Sequence, residues 1–259
     1  MPLRKKVFKK KRMPKRKPRI PKGIKSYISK TIRSNEETKL TSVTAGFTGY
    51  NSSISSVGDY VTCLPPVPQG TGQSQRIGQA IRPIKLVIRG YVIYSADSQL
   101  NARMIGGRMF CFSDKTVSNY GVATSAGANY NLLDVGGTSQ TFDGTVARYE
   151  YPHNNDQFKF YIDKKFRMMK PWGYTNVGST STQAIVSMDK SMYRPFTITL
   201  TQKQLPAILK YDQQLNVNFP TNFAPYVALG YCDLLSYPAD TVVTQLNMTF
   251  TSTLYFKDA

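Results

Sequence analysis

From residue 38 onward the chain alternates apolar and polar positions with a period of two. The last segment is the most regular: Leu246, Met248, Phe250, Leu254 and Phe256 share one parity, while Asn247, Thr249, Thr251 and Thr253 take the other. Such alternation predicts one long strand with a buried and a wet face, weakest at Ser252. Phe196, Ile198 and Leu200 repeat the pattern against Thr197, Thr199 and Thr201. Phe158, Phe160 and Ile162 alternate with Lys159, Tyr161 and Asp163, and Phe166 and Met168 carry the parity on between Lys165 and Arg167. Across residues 80 to 95, Ile84, Leu86 and Ile88 line one side, and Gly90 reads as a bulge after which Tyr91 and Ile93 change face. Weaker strand signals cover 38 to 48, 103 to 113, 206 to 211 and 225 to 232, for about eight strands in all.

Turn-rich insertions separate these strands at 49 to 78, 114 to 157 and 172 to 192. No helical period of useful length follows residue 34, apart from a turn or two near 129 to 134. Strands without intervening helices exclude a parallel α/β sheet and leave an antiparallel sandwich or barrel. Loops this long in one domain usually serve contacts or function.

Before residue 38 the pattern is different. Ile24, Tyr27, Ile28, Thr31 and Ile32 recur at three- and four-residue steps, predicting a short amphipathic helix over 23 to 34. At about 12 residues it is marginal alone and needs a partner. Residues 1 to 22 hold Pro2, Pro14, Pro18 and Pro21 among like charges, which forbids a continuous helix and leaves too little apolar surface to fold. The sequence therefore divides into a basic arm over 1 to 34 and a β domain over 35 to 259.

Charge sharpens this division. The first 33 residues carry 15 basic side chains, Arg4, Lys5, Lys6, Lys9, Lys10, Lys11, Arg12, Lys15, Arg16, Lys17, Arg19, Lys22, Lys25, Lys30 and Arg33, and no acid before Glu36. The whole chain has 34 Lys and Arg against 15 Asp and Glu, a net charge of +19, so residues 34 to 259 hold 19 basic and 15 acidic residues, a net of only +4. A β domain so poor in charge is expected to cover part of its surface by self-association. Three scattered cysteines, Cys63, Cys111 and Cys232, suggest neither a disulfide framework nor a zinc site, and fit a reducing compartment. The sequence offers no apolar secretory region and no run of 18 apolar residues, so a soluble protein made inside the cell is expected.

The proline-punctuated arm, the strand count, the Gln75-Arg76-Ile77-Gly78 turn feeding Arg82-Pro83-Ile84-Lys85-Leu86-Val87-Ile88-Arg89-Gly90, and the long alternating last strand together form a recognisable layout. It resembles the coat proteins of small circular single-stranded DNA viruses of the circovirus-like kind, whose single jelly roll is similar to that of satellite tobacco necrosis virus. The resemblance implies an all-β fold: eight antiparallel strands, B to I, at about 38 to 48, 80 to 95, 103 to 113, 158 to 169, 193 to 202, 206 to 211, 225 to 232 and 244 to 257. These would form two four-stranded sheets, BIDG and CHEF. It further implies a homo-oligomeric icosahedral shell of about 60 copies with the arm inward on the genome, where the arms together would neutralise roughly 900 phosphates. The loops 49 to 78, 114 to 157 and 172 to 192 would form the outer surface and subunit contacts, with a cell-surface receptor as a further partner. The virion, and the host nucleus during assembly, are the implied locations.

The arm's chemistry follows from its charge. Fifteen cations on a tether neutralise phosphates, release counterions and bind nucleic acid without reading sequence, with affinity falling as salt rises. Lys9-Lys10-Lys11-Arg12 and Lys15-Arg16-Lys17-Pro18-Arg19 also suit a nuclear import signal, and the plainer reading of such a run is a solvated tail. Beyond the arm, two sets of basic residues sit on polar parities, Lys85 and Arg89 in one and Lys159, Lys165 and Arg167 in the other, and either could line an inner surface as a second layer of nucleic-acid contacts; an ordinary wet strand face or edge protection accounts for them equally well.

Enzymatic readings are poor. The single histidine, His153, lies in a polar turn, and a site built from Ser125, His153 and Asp156 lacks strand-to-helix context. Asp156 with Asp163, or Asp233 with Asp240, suit a calcium ion less well than they suit solvated loops. No catalytic residue, cofactor or metal is assigned. The expected function is a capsid protein that packages single-stranded DNA through its arm. A cellular or ribosomal-type nucleic-acid-binding β protein with a basic tail is the alternative, and a sugar-binding sandwich using Trp172, Tyr174 and Tyr231 is a third reading.

Overall fold

Alternation with period two puts every second side chain on one sheet face, and the long strands follow it closely. The computed structural model describes residues 21, 23–27, 31, 37–50, 53–54, 60–94, 103–120, 131–170, 192–212, 218–235 and 246–258. Two units are distinguished, Met1–Glu37 and Thr38–Ala259.

In the first unit, residues 23–27 and Thr31 are helical. Lys25 donates its backbone N–H to the Pro21 carbonyl, and the Thr31 hydroxyl donates to the Tyr27 carbonyl. Ile24 and Tyr27 are exposed, so no described residue buries the apolar face of this turn. Residues 28–30 and 32–34 of the expected helix lie outside the described set.

The second unit is all-β. Its strands are β1 (Lys39–Tyr50), β2 (Tyr60–Thr62), β3 (Ala80–Tyr94), β4 (Arg103–Asp114), β5 (Leu133–Val135), β6 (Thr138–Gln140), β7 (Phe158–Lys170), β8 (Tyr193–Thr201), β9 (Leu209–Lys210), β10 (Pro225–Asp233) and β11 (Leu246–Asp258). One sheet runs β1-β11-β3-β8, with β9 also on β3; another runs β2-β10-β4-β7; β5 and β6 form a hairpin. Every pairing is antiparallel.

Lettered B, C, D, E, F, G, H and I in chain order, β1, β2, β3, β4, β7, β8, β10 and β11 give the sheets BIDG and CHEF of a jelly roll. The expected sheets are present, but the expected lettering was displaced. Strand C is the three-residue β2, inside the 49 to 78 insertion and too short to show a period. The segment at 206 to 211, expected as strand G, contributes only the two-residue β9 beside β3. Strands 80–94, 103–114, 158–170 and 193–201 are accordingly D, E, F and G.

The register fixes the core. On β11, Leu246, Met248, Phe250, Leu254 and Phe256 are buried, facing inward with Leu86, Ile88 and Val92 of β3 and Phe196, Ile198 and Leu200 of β8. Fully burying a side chain of this size contributes about 1.5–3 kcal/mol. Ser252 is no weak point: on the same buried parity, it donates its hydroxyl to the carbonyl of Cys63, just past β2, and so ties one sheet to the other.

Two bulges depart from strict alternation. The β3–β11 register is continuous through Gly90 and shifts instead at Ile84, so Val92 and Tyr94 are buried and Tyr91 is exposed. Gly90 is required for contact rather than for bending, because a Cβ there would lie 2.3 Å from the Thr249 carbonyl oxygen and 2.6 Å from the Phe250 Cβ. On β7 the register against β4 skips Tyr161, which transfers Phe158 and Phe160 to the face opposite Phe166 and Met168.

The CHEF sheet is buried on both faces, which explains why all of β10 from Pro225 to Cys232 is buried. Its outer face carries Phe110, Phe112, Phe158, Phe160 and Tyr226, with Phe112 edge-on to Phe158 and stacked on Tyr226. Residues 131–157 cover it: Phe142 meets Phe110 edge-on, and a short helix, α1 (Val146–Glu150), lies between the β5–β6 hairpin and β7. Of the helical turn expected near 129 to 134, the described residues 131 and 132 belong to no element and 133 and 134 begin strand β5; the helix falls at 146–150, where Thr145 caps it by accepting from the Arg148 N–H.

Candidate nucleic-acid interface

The two sheets differ in what their outer faces offer. The outer CHEF face is sealed by a charged lock. Arg108, 2% exposed, donates from Nε and Nη2 to the two Asp163 carboxylate oxygens at 2.8 and 2.6 Å, and from Nη1 to the carbonyls of Arg148, Tyr149 and Tyr151. The bidentate fork orients the guanidinium, and the three Nη1 bonds pin the end of α1 to the sheet. His153 Nδ1 lies 3.2 Å from the same carboxylate, and its ring packs on Phe160. Burial works against the Asp163 charge, but the Arg108 fork and then His153 outweigh it and hold the carboxyl below its ordinary value.

The outer BIDG face is open among the described residues. Register places Leu40, Ser42 and Thr44 of β1, Thr249, Thr251, Thr253 and Tyr255 of β11, Lys85, Val87, Arg89 and Tyr91 of β3, and Tyr193, Thr197, Thr199 and Thr201 of β8 on it. Cross-strand hydroxyl pairs tie it laterally, Ser42 to Thr253 and Thr44 to Thr251. Lys85 and Arg89 are both exposed, and the Lys85 ammonium stands 4.4 Å over the Tyr255 ring. The four strands carry one acid, Asp258, which Lys39 holds at 2.7 Å.

Of the basic residues expected to contact nucleic acid, only Lys25 in the arm is described, exposed in the helical turn; the other fourteen lie outside the described residues. The two sets expected on the β domain are placed differently. Lys85 and Arg89 share the open BIDG face. The bulge at Tyr161 separates Lys159 from Lys165 and Arg167. Lys159 turns to the core side at the strand's end and donates to the Gln204 carbonyl, whereas Lys165 is paired with Glu150 at 2.6 Å. Arg167 is exposed opposite Gly106, on the face that the insertion covers.

Nothing described here assembles an active site. Ser125 lies outside the described residues, and His153 faces Asp163 rather than Asp156. All three cysteines are buried, and burial pushes the Cys232 thiol up to about 12 and Cys63 well above its ordinary value, which leaves little thiolate. A polar hollow of about 250 Å³ is lined by Asp134, Gly137, Ser139, Asn154, Asp156 and Gln157, but no group of three or more metal-ligating side chains occurs among the described residues. Asp163 is committed to Arg108 rather than to Asp156, and Asp240 of the second expected calcium pair lies outside the described residues. Tyr231 is fully buried, which removes it from the expected sugar surface, and Trp172 and Tyr174 lie outside the described residues.

No family model matches the chain, and no curated protein matches it. Among solved structures, one of Desmodium yellow mottle tymovirus aligns over 97% of this chain and 95% of its own at 9% identity, with a TM-score of 0.29. A T13 IBDV viral particle aligns over 86% of this chain and 40% of its own, again at 9% identity, with a TM-score of 0.22. The fold described above rests on the strand pairings of the chain itself.

Sequence reasoning missed one feature of the open face, the stacked and exposed pair Tyr91 and Tyr193. Reading Gly90 as a bulge had put Tyr91 on the wrong side. A continuous alternation from Lys85 to Ile93 would have placed it beside Arg89.

Proposed function

We propose that this chain is a viral coat protein: its jelly-roll domain self-associates into a closed icosahedral shell of about 60 copies, and its arm gathers single-stranded DNA inside, each arm neutralising about 15 phosphates. The observation that carries the reading is the segregation of charge, with 15 cations and no acid in the first 33 residues and a net of only +4 over the rest. Polyelectrolyte physics makes such an arm a binder of phosphate chains whatever fold follows it. A BIDG/CHEF jelly roll suits a shell by analogy with other folds of this architecture. The same arm serves as a nuclear address through Lys9–Arg12 and Lys15–Arg19, read by the host import machinery. The long loops are assigned to subunit contacts and to attachment at a cell-surface receptor. Lys85 and Arg89 of the jelly-roll domain add a second group of cations.

The test is to purify the full chain, image it by electron microscopy across salt and pH with and without single-stranded DNA, and identify the nuclease-protected nucleic acid. Closed particles that protect single-stranded DNA are expected. Monomers under every condition, with salt-sensitive nucleic-acid binding retained, would instead establish a cellular or ribosomal-type binding protein with a basic tail.

A further inference from the structure

Two exposed tyrosines lie on the open BIDG face, one row beyond its arginine. Tyr91 of β3 and Tyr193 of β8 are diagonal neighbours across the pair, since Tyr91 opposes Pro195 and Ile93 opposes Tyr193. Their ring centroids are 5.6 Å apart with 29° between the planes, yet they remain 37% and 50% exposed. A stacked pair that keeps this much ring area in water presents flat apolar surface on which a further ring can stack. Arg89 stands two residues before Tyr91 on the same face, with Lys85 four residues further back, so about 20 Å of strand presents two cations and an aromatic pair. Around them the face is built of threonine hydroxyls. Lys85 and Arg89 meet no acid on this face: the four strands carry one, Asp258, which opposes the buried Ile81 and is paired with Lys39.

We infer that the outer BIDG face is a platform for unpaired nucleobases, on which one or two bases of a single strand stack against Tyr91 and Tyr193 while Arg89 and Lys85 take the adjoining phosphates. This rests on the proposed nucleic-acid function and adds that binding has a component the arm cannot supply. The arm's contribution is electrostatic and disappears at high salt, whereas stacking depends on the presence of bases and persists. The charge of the face suits a polyanion, and its rings suit bases that are not already paired. A duplex offers phosphates but no free base faces.

The experiment compares the full-length chain with Tyr91→Ala/Tyr193→Ala and Tyr91→Phe/Tyr193→Phe, using an oligothymidylate and an abasic deoxyribose-phosphate oligomer of equal length, titrated at low and high salt. The wild type is expected to prefer oligothymidylate, increasingly so as salt rises. The alanine pair should lose roughly tenfold or more of the high-salt affinity for oligothymidylate and none for the abasic oligomer. The phenylalanine pair keeps the rings and should bind as wild type, which separates stacking from misfolding. Irradiating the wild type with a 5-iodouracil oligomer should crosslink Tyr91 or Tyr193, located by mass spectrometry. Wild-type binding that the alanine pair retains in full overturns this inference alone. Failure of the wild type to bind either oligomer at any salt overturns the underlying nucleic-acid reading. Loss of self-association in the alanine pair, with oligothymidylate binding unchanged, makes the face a contact between copies and likewise overturns the inference.

Discussion

Asp163 joins two strands of the CHEF sheet and, through Arg108, the insertion that covers it. Among the described residues it is the one anion on the Arg108 guanidinium, which is 2% exposed, and through Arg108 it secures the carbonyls of Arg148, Tyr149 and Tyr151 at the end of α1. Removing one partner of a buried ion pair costs about 3–5 kcal/mol, because the remaining charge stays buried without its counter-ion. Asp163→Asn should fall near the lower end, since Nη1 keeps its three carbonyls; the shift in urea midpoint at neutral pH measures it. The sign of the pH effect follows from the depressed carboxyl. A folded value below the unfolded value of about 3.9 means the pair's contribution is complete above that pH and is lost as pH falls through the folded value. Thermal stability of the wild type should therefore decline below about pH 4, and Asp163→Asn should decline less over the same window. Equal declines would show that other carboxylates dominate acid unfolding.

At the scale of elements, strands with one wet face were the clearest in the sequence, and strands with none gave only weaker signals. β8 and β11 alternate because their outer face meets solvent, so Thr197, Thr199, Thr249 and Thr251 mark it. β10 is buried on both faces and shows no alternation, while β2, at three residues, spans less than two periods. The bulges at Ile84 and Tyr161 were hidden for a related reason: each exchanges the faces of residues whose types suit either side, and only the partner strand reveals the shift. That is why Lys159, Lys165 and Arg167 read as one set although they are not. Ser252 was misread because a lone hydroxyl in an apolar row resembles a defect, whereas its bond to the Cys63 carbonyl joins the sheets. Ser252→Ala should cost about 1–3 kcal/mol, the penalty for leaving a buried acceptor without its donor, and should lower the unfolding midpoint without changing the denaturant slope. A neutral result would mean that the carbonyl finds another donor and that the two sheets are held by apolar packing alone.

At the scale of the whole molecule, the question is whether binding and folding are separable. Residues 1 to 22 carry twelve of the fifteen arm cations and four prolines, and every strand of the jelly roll lies within Lys39–Asp258. The β domain closes on its own termini: Lys39, at the start of β1, bonds Asp258 at the end of β11 and the Gln75 carbonyl, and Asp258 accepts from the Ile77 N–H. This closure uses nothing from the first 22 residues, so their deletion should leave the melting temperature of the β domain unchanged within a few degrees. Nucleic-acid binding should respond differently. The slope of log affinity against log salt scales with the number of phosphates neutralised, at about 0.7 per contact on a single strand, so losing twelve cations should remove most of that slope. What survives should be the weaker binding of Lys25, Lys30, Arg33 and the open BIDG face, with a shallow salt dependence and a preference for strands that carry bases. An unfolded deletion product would place part of the arm within the fold. A folded product with the full salt slope would move the main cationic site from the arm to the sheet.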